Sequence, residues 1–405
     1  MTAKPQRARV LVLTSTYPRH PGDGMVPPFV HELSRRLTPW FEMHVLAPHA
    51  PGAAVTAEMD GVQVHRFRYL PERLETLAYG GGILPGLRRR PWRAAGLVPF
   101  IAAEYLAARR LLRSRDFSLV HAHWLVPHGV IAARLRRPRR ALLATSHGSD
   151  LFALEQPWLR PLKRYALRNA DAVSVVSAAL RGRAASLMED SGKIHVLPMG
   201  VDTTRFQPPA PNSARQGLLF VGRLVEGKGV STLLQALELL QAQGLRPTLT
   251  LVGSGPAEAG LRSRVTRAGL GDRVTFLGPL PNGELPAHYQ RAAALVFPSL
   301  LGKQGQQEGM GLVPLEALAC GCPVIASALP AVTEVISHEE TGLLFPPGDV
   351  QALAACAAAV LSAPEKYQAW ASSGRDRIMT THSWENTAEG YRDLYTRLIE
   401  SAHQA

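Results

Sequence analysis

The stretch "EGMGLVPLEALACGCPVIAS" spans residues 308–327 and holds one complete step of an α/β fold. Gly309 and Gly311 make a turn, Pro314 suits the first turn of a helix, and Gly321 and Pro323 stop it. The spacing predicts a helix from about Val313 to Cys320, with Glu316 in its first turn, and then a strand at 323–327. The same alternation recurs along the chain. Strands are expected at 9–15, 43–48, 62–67, 118–123, 141–147, 172–177 and 194–198, and again at 217–224, 248–255, 273–278 and 294–299. These runs are continuous in Val, Leu, Ile and Ala, as in strands buried on both faces of a parallel sheet. Helical stretches between them supply the crossovers. The fold class is therefore α/β, in two successive sets. The seam falls in the Pro-, Gly- and Asn-rich segment 197–217. This places an N-terminal domain at 1–200, a second at 201–380, and a closing helix within 381–405, with Ser383 as its N-cap.

At 405 residues the chain is long enough for two cores. Its three cysteines cannot staple a chain of this length. Cys320 and Cys322 form a C-x-C pair with no further ligand at zinc spacing. A reducing, cytoplasmic location is expected. No secretory signal is visible, and the longest near-apolar run, 94–103, is too short to span a bilayer. The net charge is +13 and is unevenly spread. Residues 1–200 hold 29 Lys+Arg against 14 Asp+Glu, and residues 201–405 hold 16 against 18. A basic first half suits an anionic partner: lipid surface, phosphorylated small molecule or nucleic acid.

Ligands of open α/β sheets sit beyond the carboxyl ends of the strands. Several polar or glycine-rich signals stand at such ends: "GDG" (22–24), "HAHW" (121–124), "SHGSD" (146–150), "VGRLVEGKG" (221–229) and "VGSGP" (252–256). Two sheets with these ends facing would form a cleft. In the opening stretch, Val313 cannot complete a capping box with Glu316. The glycine turn and the free N–H groups at 310–313 read instead as an anion cradle, with Glu308 and Glu316 reaching ligand hydroxyls on either side. A hydroxyl-rich ligand carrying a diphosphate, a nucleotide sugar, meets both needs. Arg223 and Lys228, five apart on a loop after a strand, would neutralise the diphosphate. The sequence has no Asp-x-Asp pair to hold a metal for that task. It also lacks a full G-x-G-x-x-G with a downstream acid, which argues against a nicotinamide oxidoreductase.

With "FVGRLVEGKGV", "VGSGP", "VTFLGPLP", "HGSD", "LPMGVDTTRF" and "TGLLFPPGD" in that family's order, the chain resembles the family-4 retaining glycosyltransferases. The resemblance runs from residue 10 to about 395 and includes the family's Glu-x7-Glu motif. It implies a GT-B fold, two Rossmann-like domains facing across a central cleft. It also implies site roles. Glu308 would contact the transferring sugar, Glu316 would bind the ribose hydroxyls, and the N–H groups of Met310, Gly311, Leu312 and Val313 would hold sugar and phosphate. Arg223 and Lys228 would stabilise the departing diphosphate, and His147 would touch the sugar. Gly22, Gly24, Asp150, Gly253 and Leu280 complete the implied donor-binding set. Asp23 stands where the family's glycine loop has a small residue, and the segment 300–307 is longer than in many relatives.

The implied activity is metal-independent transfer, with retention, from a UDP- or GDP-sugar. The acceptor would be a glycan or lipid-linked intermediate of cell-surface polysaccharide or glycolipid synthesis. The donor itself is the only small molecule required, with no separate cofactor. Two other readings are a non-catalytic sugar-nucleotide-binding relative and a nucleic-acid-binding protein. The intact Glu308, Glu316, Arg223 and Lys228 speak against the first, and the lack of any recognition-helix pattern against the second. The segment 87–115 sets Arg88, Arg89, Arg90, Trp92 and Arg93 before Leu97, Val98, Phe100, Ile101, Tyr105 and Leu106, and closes with Arg109, Arg110, Arg113 and Arg115. It reads as a helix able to lie on an anionic membrane, with "RLRRPRR" (134–140) adding to the charge.

Overall fold

A computed structural model describes residues 7–24, 26–79, 82–83, 86–87, 90–152, 156–210, 213–302 and 308–404. The chain forms two compact units. The first holds residues 1–176, 180–197 and 387–405, and the second holds 177–179 and 198–386.

The first unit is built on one sheet. Its strands are β1 (Arg9–Leu13), β2 (Glu42–Pro48), β3 (Thr56–Met59), β4 (Val62–Phe67), β5 (Leu119–His123), β6 (Ala141–Ser146), β7 (Ala172–Val175) and β8 (Ile194–Val196). The order is β3-β4-β2-β1-β5-β6-β7-β8. Every pairing is parallel except β3 with β4. From β1 the chain winds outward through β2 and β4, then restarts on the other side of β1 at β5. The order therefore reverses between β1 and β5. In register Val10 faces Met43 on one side and Leu119 on the other. Val10, Leu11, Val12 and Leu13 are all buried, as expected of a central parallel strand.

The second unit repeats the plan with β9 (Leu218–Val221), β10 (Leu249–Val252), β11 (Val274–Gly278), β12 (Ala294–Phe297), β13 (Val324–Ser327) and β14 (Leu343–Phe345). Its order is β11-β10-β9-β12-β13-β14, parallel throughout. Here the reversal falls between β9 and β12. The helix Val230–Ala242 buries Leu233, Leu234, Leu237 and Leu240 in the unit's core. Both units are thus Rossmann-like α/β layers.

Two strands go beyond the sequence reading. β3 is a polar edge strand with no apolar run, joined to β4 through Asp60 and Gly61. Both turn residues have positive φ, as a two-residue hairpin turn demands. β14 is only three residues long. A third difference concerns the helix of the opening stretch, which runs Leu312–Ala319 with Gly311 as a left-handed N-cap. Starting one residue early, it puts Glu316 in the second turn, not the first.

The closing helix, Trp384–Gln404, is capped by Ser383, whose Oγ accepts the Asn386 N–H at 3.2 Å. From residue 387 onward it belongs to the first unit. A buried polar chain holds it there. Tyr395 shares a hydrogen bond with His121 on β5 (2.6 Å), and His121 with Thr145 on β6 (2.6 Å). Thr145 meets Ser174 on β7, and Ser174 meets Tyr391 at 3.2 Å. Burial drives the His121 imidazole down to about 3, so it is neutral at ordinary pH and works as one donor and one acceptor.

Candidate active site

The strongest convergence lies in the second unit, where strand order reverses. The loop after β9 and the loop after β12 flank that reversal, the position where open α/β sheets bind ligands. The Leu300 N–H donates to the Gly227 carbonyl at 2.8 Å and ties the two loops together. Gly229 makes the approach possible. Its φ is +68°, and a Cβ there would sit 1.8 Å from the Pro298 carbonyl oxygen. Seated this way, the loop places Lys228 Nζ 5.2 Å from the centre of the Phe297 ring and in an ion pair with Glu308. Ser299 donates to the same Glu308 oxygen at 3.4 Å. Two expected site residues, Lys228 and Glu308, are therefore in contact. Arg223 is exposed on the same loop.

Behind Glu308 the chain turns into the helix Leu312–Ala319. Gly311 (φ +82°) turns the backbone into the helix, whose first N–H groups, as at any helix start, have no intrahelical acceptor. The turn is braced from beneath. Ser177 donates to the Gly309 carbonyl at 2.7 Å, and the Met199 N–H to the Met310 sulfur at 3.3 Å. Met310 is thereby buried.

One turn along, Glu316 accepts from Tyr289 (2.7 Å to Oε2) and from Asn282 (3.5 Å to Oε1). Burial pushes its carboxyl up to about 7, and the hydrogen bonds from Tyr289 and Asn282 and the charge of Arg205 oppose that rise. Leu280, half-buried, lies two residues before Asn282. Gly253 has a sufficient structural reason of its own. At φ +126° it admits the Gly222 carbonyl, which a Cβ would meet at 2.0 Å. It acts by setting the backbone of the Arg223 loop.

The remaining expected residues belong to the first unit. His147 shares a hydrogen bond with His123 at 2.8 Å and stacks parallel to it. Phe29 and Trp124 lie 4.9 and 5.0 Å from its ring. Burial holds His147 neutral, near 3. Asp150 is internal. It is 1% exposed and braces the fold, one oxygen accepting the Leu125 N–H at 2.8 Å and the other the Ser146 hydroxyl at 2.6 Å. In the 22–24 loop Asp23 is likewise internal. It takes a two-pronged ion pair from Arg19 at 2.7 and 2.8 Å and closes the turn that Gly22 (φ +77°) and Gly24 form.

Sequence reasoning did not find Tyr289, Asn282, Ser299, Phe297 or Gly229. Phe297 and Ser299 fall in the polar ending of the strand expected at 294–299, and Gly229 in the glycine-punctuated loop 221–229, without being singled out. Tyr289 reads in sequence as one more core aromatic.

A model described as Glycosyltransferase Family 4 matches residues 26–205, and one described as Glycosyl transferases group 1 matches residues 202–377. A GDP-mannose-dependent alpha-(1-6)-phosphatidylinositol monomannoside mannosyltransferase of Mycobacterium tuberculosis is 32% identical over 298 residues, 71% of this chain and 77% of that protein. The chain belongs to the family-4 glycosyltransferases. A putative colanic acid biosynthesis glycosyltransferase of Salmonella typhimurium is 34% identical to this glycosyltransferase over 236 residues, 56% of this chain and 58% of the relative. Among solved structures, sucrose-phosphate synthase from Thermosynechococcus elongatus superposes with a TM-score of 0.78 at 25% identity, covering 98% of this chain and all of that one. Anabaena Alr3699/HepE in complex with UDP and glucose gives 0.72 at 20% identity over 96% of this glycosyltransferase, a likeness of fold.

Proposed function

We propose that this glycosyltransferase moves a hexosyl group, with retention and without a metal, from a UDP- or GDP-sugar to a glycan or lipid-linked acceptor. The product would be an intermediate of cell-surface polysaccharide or glycolipid synthesis. What carries the reading is the convergence of Lys228, Glu308, the helix N-terminus at 310–313 and Glu316 on one strand-order reversal. Lys228 and Arg223 take the diphosphate, and their charge opposes the charge that grows on the leaving oxygen. The N–H groups at 310–313 hold phosphate and sugar, Glu308 holds sugar hydroxyls, and Glu316 holds the ribose. No side chain is assigned as nucleophile. The leaving diphosphate oxygen takes the acceptor's proton on the face where the new bond forms, which keeps the anomeric configuration. Names of similar proteins include a GDP-mannose-dependent enzyme, so GDP-sugars head the donor screen.

Thermal-shift measurements with GDP-, UDP- and ADP-sugars test the donor. A ligand at a hundred times its Kd stabilises by about 2.7 kcal/mol. No shift with any of them, together with normal binding to nucleic acid, would overturn the reading.

The membrane part of the proposal rests on the helix Leu97–Ser114. Phe100, Glu104, Ala108 and Leu112 form its buried stripe, and Phe100 stacks edge-on with Phe67 and Tyr69. Phe100 is therefore a core residue, not part of an outward face. Val98, Ile101 and Leu106 are exposed, as is Trp92 before the helix. Arg109 and Arg110 point to solvent beside them. Arg88 and Arg89 lie outside the described residues. We propose that this outward face meets an anionic lipid surface. No helix among the described residues is long and apolar enough to cross a membrane.

A further inference from the structure

We infer that Tyr289 is a positioning residue for Glu316: its buried hydroxyl fixes one carboxylate oxygen so that the remaining lone pairs face the ribose diol of the donor. This rests on the reading above, in which Glu316 binds that ribose. Tyr289 is fully buried. A phenol hydroxyl in such a place costs stability unless it is bonded, and here it donates to Glu316 at 2.7 Å. The ring is carried by a helix, Leu285–Arg291, that is tied to the helix bearing Glu316. Arg215 does the tying, giving Nη1 to the Tyr289 carbonyl (2.8 Å) and Nη2 to the Cys320 carbonyl (3.0 Å). Donor and acceptor are thus held by one staple, and the carboxylate cannot rotate without breaking a short bond. A carboxylate has about four acceptor positions. Tyr289 takes one on Oε2, and Asn282 makes a long contact to Oε1. The rest stay available to a pair of adjacent hydroxyls.

The same bond bears on the proton. Besides Tyr289, the titratable or charged groups around Glu316 are Arg205, whose Nη1 donates to Asn282 at 2.9 Å, and the Cys320 thiol. The Tyr289 and Asn282 hydrogen bonds and the Arg205 charge favour the carboxylate against burial, Tyr289 foremost. Replacing Tyr289 by Phe keeps the ring and removes the largest of these supports.

The test is calorimetric titration of GDP and UDP between pH 6 and 9 into the wild type, Tyr289→Phe, Glu316→Gln and the double variant. Wild-type affinity is expected to rise through pH 7 and then level off. Tyr289→Phe should bind about tenfold more weakly at pH 7 and recover part of that loss by pH 9, because its limb moves upward. Its loss in transfer should fall more on donor KM than on kcat. In the Glu316→Gln background the Tyr289 change should have no further effect. Equal weakening at every pH, or an undiminished Tyr289 effect without Glu316, overturns the proposal. A Glu316→Gln variant that binds both nucleotides as tightly as wild type, with the same pH profile, sinks the ribose reading instead. If Tyr289→Phe fails to fold, a carbon-13 titration of the Glu316 carboxyl in the wild type decides. A midpoint that falls when GDP binds supports the assignment, and a midpoint that GDP leaves unmoved overturns it.

Discussion

Glu316 joins two properties that pull against each other: it accepts hydrogen bonds best as a carboxylate, and its burial favours the neutral form. Its carboxyl lies at about 7 in the folded chain against an ordinary 4.5. A raised acid binds its proton more tightly in the native state, so its contribution to stability is complete below pH 4.5 and is lost as pH rises through 7. A full shift of this size corresponds to roughly 3 kcal/mol, and partial exposure leaves only part of it. Tm measured for wild type and Glu316→Gln from pH 4 to 8 should therefore show the variant gaining relative to wild type as pH increases. Parallel curves would mean that Glu316 titrates normally. In transfer assays, Glu308→Gln and Glu316→Gln should each cut the rate about ten- to a hundredfold, the worth of one charged hydrogen bond at about 1.5–3 kcal/mol. Lys228→Ala should cost more, since it leaves both the diphosphate and Glu308 unmatched. A Lys228→Ala enzyme faster than Glu308→Gln would contradict that order.

At the scale of elements, the site depends on a glycine that never touches it. Gly229→Ala must move a backbone carbonyl and hold a left-handed conformation, which alone costs roughly 1–2 kcal/mol. Tm should fall, and transfer should fall further than stability explains, because Lys228 shifts with the loop. Normal kinetics in Gly229→Ala would show that the approach to Pro298 is not what places Lys228. Much of this was legible in sequence. Glu308, Lys228 and the turn at Gly311 announce themselves through residue types that a buried strand or helix does not otherwise use. What escaped was of two kinds. Tyr289 works through a partner distant in sequence, and nothing local separates a buried tyrosine that bonds Glu316 from one that merely packs. For Asp150, a polar residue just after a glycine at a strand end gives no hint that the Leu125 N–H and the Ser146 hydroxyl are its partners. β3 was different: Asp60-Gly61 is a hairpin signal in its own right, and it was masked by the polarity of the strand it closes.

Over the whole molecule, two expectations concern what the enzyme needs around it. Transfer should survive EDTA, because Arg223 and Lys228 are assigned the diphosphate charge. Activity that dies in EDTA and returns with magnesium or manganese would refute this. Flotation with anionic vesicles at low salt should carry the protein upward, and a Trp92→Ser, Ile101→Ser, Arg109→Ser, Arg110→Ser variant should stay behind. A wild type that never floats leaves the helix Leu97–Ser114 as an ordinary core helix with a solvated face. The closing helix has a consequence for how the chain is made. Its residues from 387 on complete the first unit, yet they leave the ribosome after the entire second unit. Domains usually fold as they emerge, N-terminal first, but here the first is completed last. Until Tyr391 and Tyr395 arrive, Ser174 and His121 each keep Thr145 but lack the second partner that the closing helix brings. The first unit is thus completed by a helix translated after the whole of the second unit.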